Sequence, residues 1–254
     1  MALVVALAVH AFVPRAEAVI GGDRADPHQW GFVVAVLDAR VSNPVDAQFC
    51  AGTLVRPDWV MTAAHCVEDR GRFVPARTLD VVAGVTRLPA IKRGDRIAVD
   101  RIVVAPGRRP KGAAVRGRDL ALLHLSRRAS ARPVSIPGSI RTLARPAAAA
   151  RIAGWGAIDP WGETLSEDLL DGRVSVLSAS RCRSFGAPGD VICATLPERQ
   201  EASACEGDSG GPLARLGSRG PVIGIVSAGP CGDESPTFYT NVSVYRGWIA
   251  SVVR

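Results

Sequence analysis

The chain has 254 residues, of which 47% are hydrophobic and 22% are charged, and its net charge is +7. This composition is typical of a globular protein with a sizeable core, and it excludes intrinsic disorder as a description of the whole chain. Its 26 glycines and 18 prolines separate short apolar runs rich in Val and Ile, which favours strands and turns and excludes a helical bundle or a coiled coil.

The first eighteen residues have the features of an export signal. The apolar stretch Ala2 to Val13 is too short to cross a hydrocarbon core of about 30 Å as a helix, so we expect no stable membrane anchor. The small residues of Ala16-Glu17-Ala18 fit a signal-peptidase site, although no Lys or Arg precedes the apolar stretch. We predict a signal peptide over residues 1–18, a mature chain over residues 19–254, and secretion to the extracellular space.

Strand-like runs recur at short intervals in two groups. The first group is Phe32–Leu37, Gly52–Val55, Trp59–Thr62, Leu79–Ala83, Ile97–Val104 and Leu120–Leu125. The second group is Arg151–Gly154, Gly172–Leu177, Val191–Ala194, Pro212–Leu216, Val222–Val226 and Thr237–Val242. This pattern predicts an all-β fold of two antiparallel six-stranded β-barrels, an N-terminal barrel over residues 19–130 and a C-terminal barrel over residues 131–254.

Three segments outside these strands also have distinct composition or spacing. A basic stretch has no aromatic residue on which a base could stack, so we predict a solvated loop and no nucleic-acid partner; its residues are Arg108, Arg109, Lys111, Arg116 and Arg118. The Ala-rich stretch Arg145–Arg151 is predicted to be a loop, because it is short and contains a proline. From Ser243 onward, an apolar spacing predicts a short terminal helix through Val244, Trp248, Ile249 and Val252.

Six cysteines in a chain with an export signal indicate disulfides formed in an oxidising compartment. Spacing alone does not choose among their pairings. A zinc site is the competing interpretation, but there is no Cys-x-x-Cys motif and only Cys66 has a histidine beside it.

The segment Gly207 to Pro212 has a serine, Ser209, between glycines. Such a serine can lie on a tight turn with its hydroxyl exposed and backbone N–H groups close by, as a nucleophile requires. A plain glycine-rich turn and the nucleophile elbow of α/β-hydrolases are the alternatives. However, His65 directly follows an apolar strand and Asp119 begins another, and the chain order His, Asp, Ser differs from the order Ser, acid, His of that elbow.

With these residues in this order, the chain resembles the chymotrypsin/trypsin family of secreted serine endopeptidases from Val19 to the C-terminus. The motifs that carry the resemblance are Val19-Ile20-Gly21-Gly22, Thr62 to Cys66, Asp119 to Leu123, Gly154-Trp155-Gly156 and Gly207 to Pro212. The resemblance implies the two-barrel fold, in agreement with the strand count. It also implies peptide-bond hydrolysis through an acyl-enzyme.

The resemblance assigns a catalytic role to five residues. Ser209 is the nucleophile, His65 its general base, and Asp119 the acid that orients the imidazole. The backbone N–H groups of Gly207 and Ser209 form the oxyanion hole. Ser227 is expected to donate a hydrogen bond to Asp119 from outside the triad.

The resemblance also implies an activation ion pair and three disulfides. A free α-amine at Val19 pairs with buried Asp208 and shapes the oxyanion hole, so we expect poor activity until the bond before Val19 is cut. The signal-peptidase site coincides with that bond, and the alternative of trypsin-like activation lacks Arg or Lys at position 18. The implied disulfides are Cys50–Cys66, Cys182–Cys193 and Cys205–Cys231.

In this family a pocket binds the side chain before the cleaved bond. By position, Ser203 lies at the floor of this pocket, Gly229 lies on its wall, and Thr237 is expected to reduce its depth. An aspartate at the floor would select Arg or Lys, so Ser203 predicts a preference for neutral, medium-sized apolar side chains such as Leu or Met. Exposed Glu206 at the rim is expected to favour basic substrate residues nearby.

We expect no cofactor and no metal. The stretch Val85–Arg96, which matches a calcium loop in some relatives, has Asp95 as its only acid. The expected partners are polypeptide substrates and protein inhibitors, and the chain is expected to be a monomer. The alternative function is that of a catalytically silent binding or regulatory protein on the same fold.

Overall fold

The computed structural model describes residues 19–108, 117–136, 149–159, 161–195, 202–215, 220–231 and 235–254. The predicted signal peptide over residues 1–18 lies outside the described residues. So do three residues of the basic stretch, Arg109, Lys111 and Arg116.

The first half of the chain forms a closed antiparallel barrel. The strands in chain order are β1 (Asp23–Arg24), β2 (Val33–Asp38), β3 (Gln48–Arg56), β4 (Trp59–Thr62), β5 (Glu68–Asp69), β6 (Arg72–Phe73), β7 (Leu79–Ala83), β8 (Ile97–Val104) and β9 (Ala121–Leu125). Six of them close in the order β2-β3-β4-β9-β8-β7, while β5 and β6 form a separate hairpin. These strands are rich in Val and Leu, and their buried side chains fill the barrel.

The second half forms another barrel. Its strands are β10 (Ala149–Gly154), β11 (Leu170–Val176), β12 (Val191–Thr195), β13 (Pro212–Arg215), β14 (Val222–Ala228) and β15 (Thr237–Asn241). They pair in the order β11-β10-β13-β14-β15-β12, and β12 returns to β11 to close the barrel. The predicted all-β fold with two six-stranded antiparallel barrels is confirmed. The predicted division between residues 130 and 131 falls between β9 and β10.

One predicted loop is wrong in part. Residues 145–148 lie outside the described residues, but Ala149–Arg151 belong to β10 rather than to a loop. Strand β10 has β11 on one side and β13 on the other, and both neighbours supply backbone hydrogen bonds. Because these partners are distant in sequence, the local composition does not indicate them.

Within the described residues, four short α-helices accompany the strands: α1 (Pro27–Trp30), α2 (Pro44–Ala47), α3 (Ala179–Ser184) and α4 (Arg246–Val252). Side chains cap the first three at Asp26, Asn43 and Ser178. None of the described helices combines the length and the apolar character that crossing a lipid bilayer requires.

The predicted C-terminal helix is present, and its predicted apolar face differs at one position, Val244. A 3₁₀ turn over Val242–Tyr245 precedes α4, and Val244 in this turn is 55% exposed. Ile249 is buried as predicted, and Trp248 and Val252 pack against the apolar cluster of the first barrel, to which buried Val253 also belongs. The difference arises because the turn has a tighter geometry than an α-helix, which rotates Val244 away from the apolar face.

The two ends of the described chain cross between the barrels. Strand β1 pairs with β11 of the second barrel, with Asp23 opposite Asp171. The indole N–H of Trp30 in α1 donates to the Asp171 carboxylate. Helix α4 near the other end packs on the first barrel. These crossings hold the barrels together around the site between them.

Candidate active site

The end of β4 and the start of β9 bring a histidine and an aspartate together. These strands are antiparallel neighbours, with Thr62 opposite Ala121. The chain after Thr62 and the chain before Ala121 therefore lie at the same end of the first barrel. His65 follows in the 3₁₀ turn Ala64–Val67, and Asp119 comes just before β9, so the strand register causes their contact.

Asp119 is fully buried and holds His65 through two hydrogen bonds. Its Oδ2 atom lies 2.8 Å from Nδ1 of His65, and the backbone N–H of His65 donates to Oδ1 at 3.0 Å. The Ser227 hydroxyl donates to Oδ2 at 2.6 Å, and the Thr240 hydroxyl donates to the Asp119 carbonyl at 2.9 Å. These donors compensate the cost of burying a carboxylate.

The environment of Asp119 favours its charged form. Burial alone would raise the pKa of this carboxyl group. The hydrogen bonds from His65 and Ser227, together with the charges of His65 and Arg108, outweigh burial and hold the pKa of Asp119 below its usual value. An ionised Asp119 accepts a hydrogen bond from a protonated Nδ1. In a neutral His65 ring, the free lone pair is then on Nε2.

Asp190 anchors the chain immediately before Asp119. Arg118 has a φ of 57°, in the left-handed region that strains a non-glycine residue. Its backbone N–H donates to Oδ2 of Asp190 at 2.9 Å, and the Tyr245 hydroxyl donates to the same oxygen at 2.6 Å. Sequence reasoning missed Asp190 because it lies 72 residues from Arg118 and in no motif.

Ser209 lies on a turn that packs against the same end of the first barrel. Its carbonyl accepts a hydrogen bond from the Ala51 N–H at 2.8 Å. Gly210 has a φ of 82°, and a Cβ atom there would lie 2.7 Å from the backbone nitrogen of Ala63. Only glycine permits this approach. Within the described structure no direct hydrogen bond joins the Ser209 hydroxyl to His65; in substrate-free enzymes such bonds are often long and tighten on binding.

Two backbone N–H groups at this turn have no acceptor in the described part of the chain, those of Gly207 and Ser209. The peptide between Gly207 and Asp208 is fixed on both sides. Its carbonyl accepts from Nε2 of buried Gln48 at 2.9 Å, and its N–H donates to the Cys205 carbonyl at 3.0 Å. The two unpaired N–H groups flank this fixed peptide, and such a pair of donors can stabilise a developing oxyanion. Gln48 stands in no sequence motif, and sequence reasoning missed it.

Asp208 is 1% exposed and explains the glycines at positions 154 and 156. Its carboxylate accepts the Gly156 N–H at 2.8 Å and the Cys205 N–H at 3.0 Å. A side chain at either Gly154 or Gly156 would overlap with this carboxylate. Burial raises the pKa of Asp208 to about 6. Among the described residues, the carboxylate has no ion-pair partner.

The segment that starts at Val19 is inserted in the second barrel. Val19 is 0% exposed and packs in the apolar cluster that includes Ala202 and Ala204. The carbonyl of the next residue, Ile20, accepts the Ser203 N–H at 3.1 Å. Val19 also has a φ of 50°, a conformation that a β-branched residue rarely adopts. The segment thus lies against the chain that leads to Asp208.

The three predicted pocket residues lie close together. The Ser203 hydroxyl, on a residue that is 5% exposed, lies 3.4 Å from the Pro230 carbonyl. Gly229, which precedes Pro230, faces Thr237, since a Cβ atom on Gly229 would lie 2.9 Å from the Thr237 Cα. None of these residues carries a charge.

The structure contains the disulfides Cys50–Cys66, Cys182–Cys193 and Cys205–Cys231, the same pairs that the resemblance implies. The first lies beside His65. Within the described ranges, Cys50, Cys66 and His65 form the one cluster with the spacing of metal ligands, and the disulfide occupies both of its sulfur atoms.

The prediction of a solvated basic loop is wrong for Arg108. Its side chain is 3% exposed and contacts Glu68 and Asp119. Proline, glycine and arginine around it indicate a loop, but the acidic partners come from other parts of the chain. Arg118, in contrast, is exposed.

Comparison with known proteins gives consistent matches. A family model described as Trypsin matches residues 19–249. Serine protease SP24D of Anopheles gambiae is 34% identical over 240 residues, which cover 93% of this chain and 81% of that protein. Cathepsin G of Mus musculus is 30% identical over 247 residues, covering 94% and 87% of the two chains. The solved structure of the Vibrio cholerae VesB protease has a TM-score of 0.75 at 27% identity, and the match covers 92% of this chain and 68% of that one.

Proposed function

The chain belongs to the trypsin family and is a serine endopeptidase, and we propose that it hydrolyses polypeptides with Ser209 as nucleophile, His65 as general base and Asp119 as the acid that orients His65.

In the proposed reaction, Ser209 Oγ attacks the carbonyl carbon of the scissile bond while Nε2 of His65 accepts the hydroxyl proton. The carbonyl oxygen becomes an oxyanion, which accepts hydrogen bonds from the N–H groups of Gly207 and Ser209. His65 then gives its proton to the amine nitrogen, the C–N bond breaks, and an acyl-enzyme remains. A water molecule attacks the ester by the same steps and releases Ser209.

The observation that carries this proposal is the pair of hydrogen bonds from His65 to buried Asp119, completed by Ser227. They fix the ring with Nδ1 toward the carboxylate, so that Nε2 is the basic atom. The alternative of a silent binding protein is not favoured, because all three triad side chains are present.

The test is cleavage of a proteome-derived peptide library by protein that begins at Val19. We expect Ser209→Ala and His65→Ala each to lower kcat/KM by about 10³-fold or more. Ser251→Ala, a change of an exposed serine in α4, is the matched control and should cleave like the unaltered enzyme. Equal cleavage by the Ser209→Ala variant would contradict the proposal.

We also propose that the enzyme prefers neutral, medium-sized apolar side chains, such as Leu or Met, before the cleaved bond. The support is a pocket of uncharged residues, with Ser203 where an ion pair would need an acid. A charged substrate side chain would lose its hydration there without gaining a partner.

The pocket proposal is tested with the same library and the Ser203→Asp variant. The unaltered enzyme should cut after Leu and Met, and the variant should gain cleavage after Arg and Lys. Cleavage after Arg or Lys by the unaltered enzyme would overturn the pocket assignment while leaving the triad intact.

We propose that cleavage between residues 18 and 19 activates the enzyme, and that export supplies this cleavage. The new α-ammonium group of Val19 would pair with the Asp208 carboxylate and offset the cost of its burial. Cleavage would also remove the backbone link that holds Val19 at a strained positive φ. N-terminal sequencing of exported, active protein should give Val-Ile-Gly-Gly, and active protein with any other N-terminus would exclude this route.

A further inference from the structure

Arg108 places a buried positive charge beneath the triad. Its side chain is 3% exposed, and its Nε donates to Oε1 of Glu68 at 2.8 Å. Its Nη1 lies 3.6 Å from Oδ1 of Asp119. The ion pair between Glu68 and Arg108 uses Nε of the guanidinium, so the contact of Nη1 with the triad is an additional one.

The distance separates two roles that Arg108 could have. At 3.6 Å the contact with Asp119 is an ion pair and not a hydrogen bond. Asp119 already accepts hydrogen bonds from His65 and Ser227, and Thr240 holds its backbone. The orientation of the carboxylate therefore does not need Arg108, whereas its electrostatic potential changes with this charge.

We propose that Arg108 is a positioning residue that acts through Asp119. Its charge offsets part of the negative charge that Asp119 and Glu68 place near His65 and extends activity to lower pH, and Glu68 sets how much of the Arg108 charge reaches the triad. The inference rests on the proposed triad. The pKa of Asp119 is consistent with this proposal, because the positive charge of Arg108 is one of the causes that lower it.

The direction of the effect follows from the groups that face the cluster. His65 comes from the turn after β4, Glu68 from β5, Arg108 from the loop after β8, and Asp119 from the start of β9. The second barrel contributes the neutral hydroxyl of Ser227. Removing the cation leaves two carboxylates near His65 without an opposing charge, so we expect activity to fall off at higher pH. Removing Glu68 leaves the cation unopposed, so we expect activity to extend to lower pH.

The experiment measures the midpoint of the acidic limb of the kcat/KM–pH profile in two single variants. Arg108→Gln should move this midpoint up and Glu68→Gln should move it down, each by about 0.5 pH unit. Arg108→Lys retains the charge and should restore much of the unaltered profile. A packing defect would lower activity in both variants without shifting the midpoint in opposite directions.

A second buried pair of the first barrel provides the control. The Arg96 side chain is 9% exposed, and its Nη1 lies 4.0 Å from Asp80 Oδ2. Arg96→Gln and Asp80→Asn change the same charges away from the triad and should leave the midpoint in place. If Arg108→Gln does not fold, Glu68→Gln decides the question alone, since its shift to lower pH requires the buried cation.

Midpoints that stay unchanged, or that move in the same direction in both variants, would overturn the role of Arg108. Failure of the underlying triad is distinguishable, because Ser209→Ala would then retain activity. A profile that shifts as expected, in an enzyme that Ser209→Ala inactivates, supports both proposals.

Discussion

At the scale of single residues, Gly156 has no room for a side chain. A Cβ atom there would overlap with the Asp208 carboxylate, which is itself fixed by two backbone N–H groups. We expect Gly156→Ala to lower the free energy of unfolding by about 2 kcal/mol or more, because neither partner can move freely. Denaturant unfolding measures this change.

The control for this prediction is Gly94→Ala. Nothing lies within 4 Å of a Cβ atom built on Gly94. Its stability should stay within about 0.5 kcal/mol of the unaltered protein. Equal stabilities of the two variants would mean that Asp208 does not exclude a side chain at position 156.

Asp208 makes the stability of the uncleaved chain depend on pH. Its folded-state pKa of about 6 lies above the ordinary value of 3.8, so the folded protein retains a proton that the unfolded chain releases. The stabilisation is present below about pH 4 and is lost as pH rises toward 6. We expect uncleaved protein carrying Ser209→Ala to lose about 2 kcal/mol from pH 4 to pH 7 through this group.

Asp208→Asn in the same uncleaved protein should remove this part of the pH dependence, as measured by urea unfolding at several pH values. Identical pH profiles with and without Asp208 would contradict the assignment. Cleavage before Val19 should also reduce the loss, since the new ammonium group favours the ionised carboxylate.

The residues of the proposed triad could be located in the sequence because each stands in its own local motif. Asp190, Gln48 and Arg108 could not be, because their roles depend on partners far away in the sequence. Arg108 is the clearest case. Its neighbours in sequence indicate an exposed loop, but its side chain is buried against Glu68, which is 40 residues away in the sequence.

Among the elements, helix α4 shows how a short helix is held. Ile249 is 3% exposed and packs in the first-barrel cluster, whereas Val244 before the helix is 55% exposed. We expect Ile249→Ala to cost about 2–4 kcal/mol of unfolding free energy and Val244→Ala less than about 0.5 kcal/mol. Thermal and denaturant unfolding would test this difference, and equal costs would exclude the docking of α4 as described.

Several strands could be located from the sequence, but the two-residue strands and the first three helices could not. Strands β4, β7 and β8 begin and end at the predicted residues, because runs of buried apolar side chains end at turn residues. Strand β1 and the hairpin β5–β6 have two-residue strands, which are too short to give a periodic signal. Helices α1–α3 depend on caps, and their apolar patterns are too short to predict them.

At the scale of the molecule, neither barrel contains the whole site. His65 and Asp119 come from the first barrel, while Ser209 and Ser227 come from the second. The N-terminal segment also inserts into the second barrel, beside the chain that leads to Asp208. The arrangement of the barrels therefore determines the geometry of the proposed site, and we expect the proposed cleavage before Val19 to act on this geometry through Asp208.

The most direct test of this account is covalent labelling of protein that begins at Val19 with a fluorophosphonate probe, followed by mass spectrometry of the labelled peptide. The account predicts a single label on Ser209, lost in His65→Ala and strongly slowed in protein that retains residue 18. A label on another serine, or equally fast labelling of Ser209 without His65, would contradict the assignment of the triad.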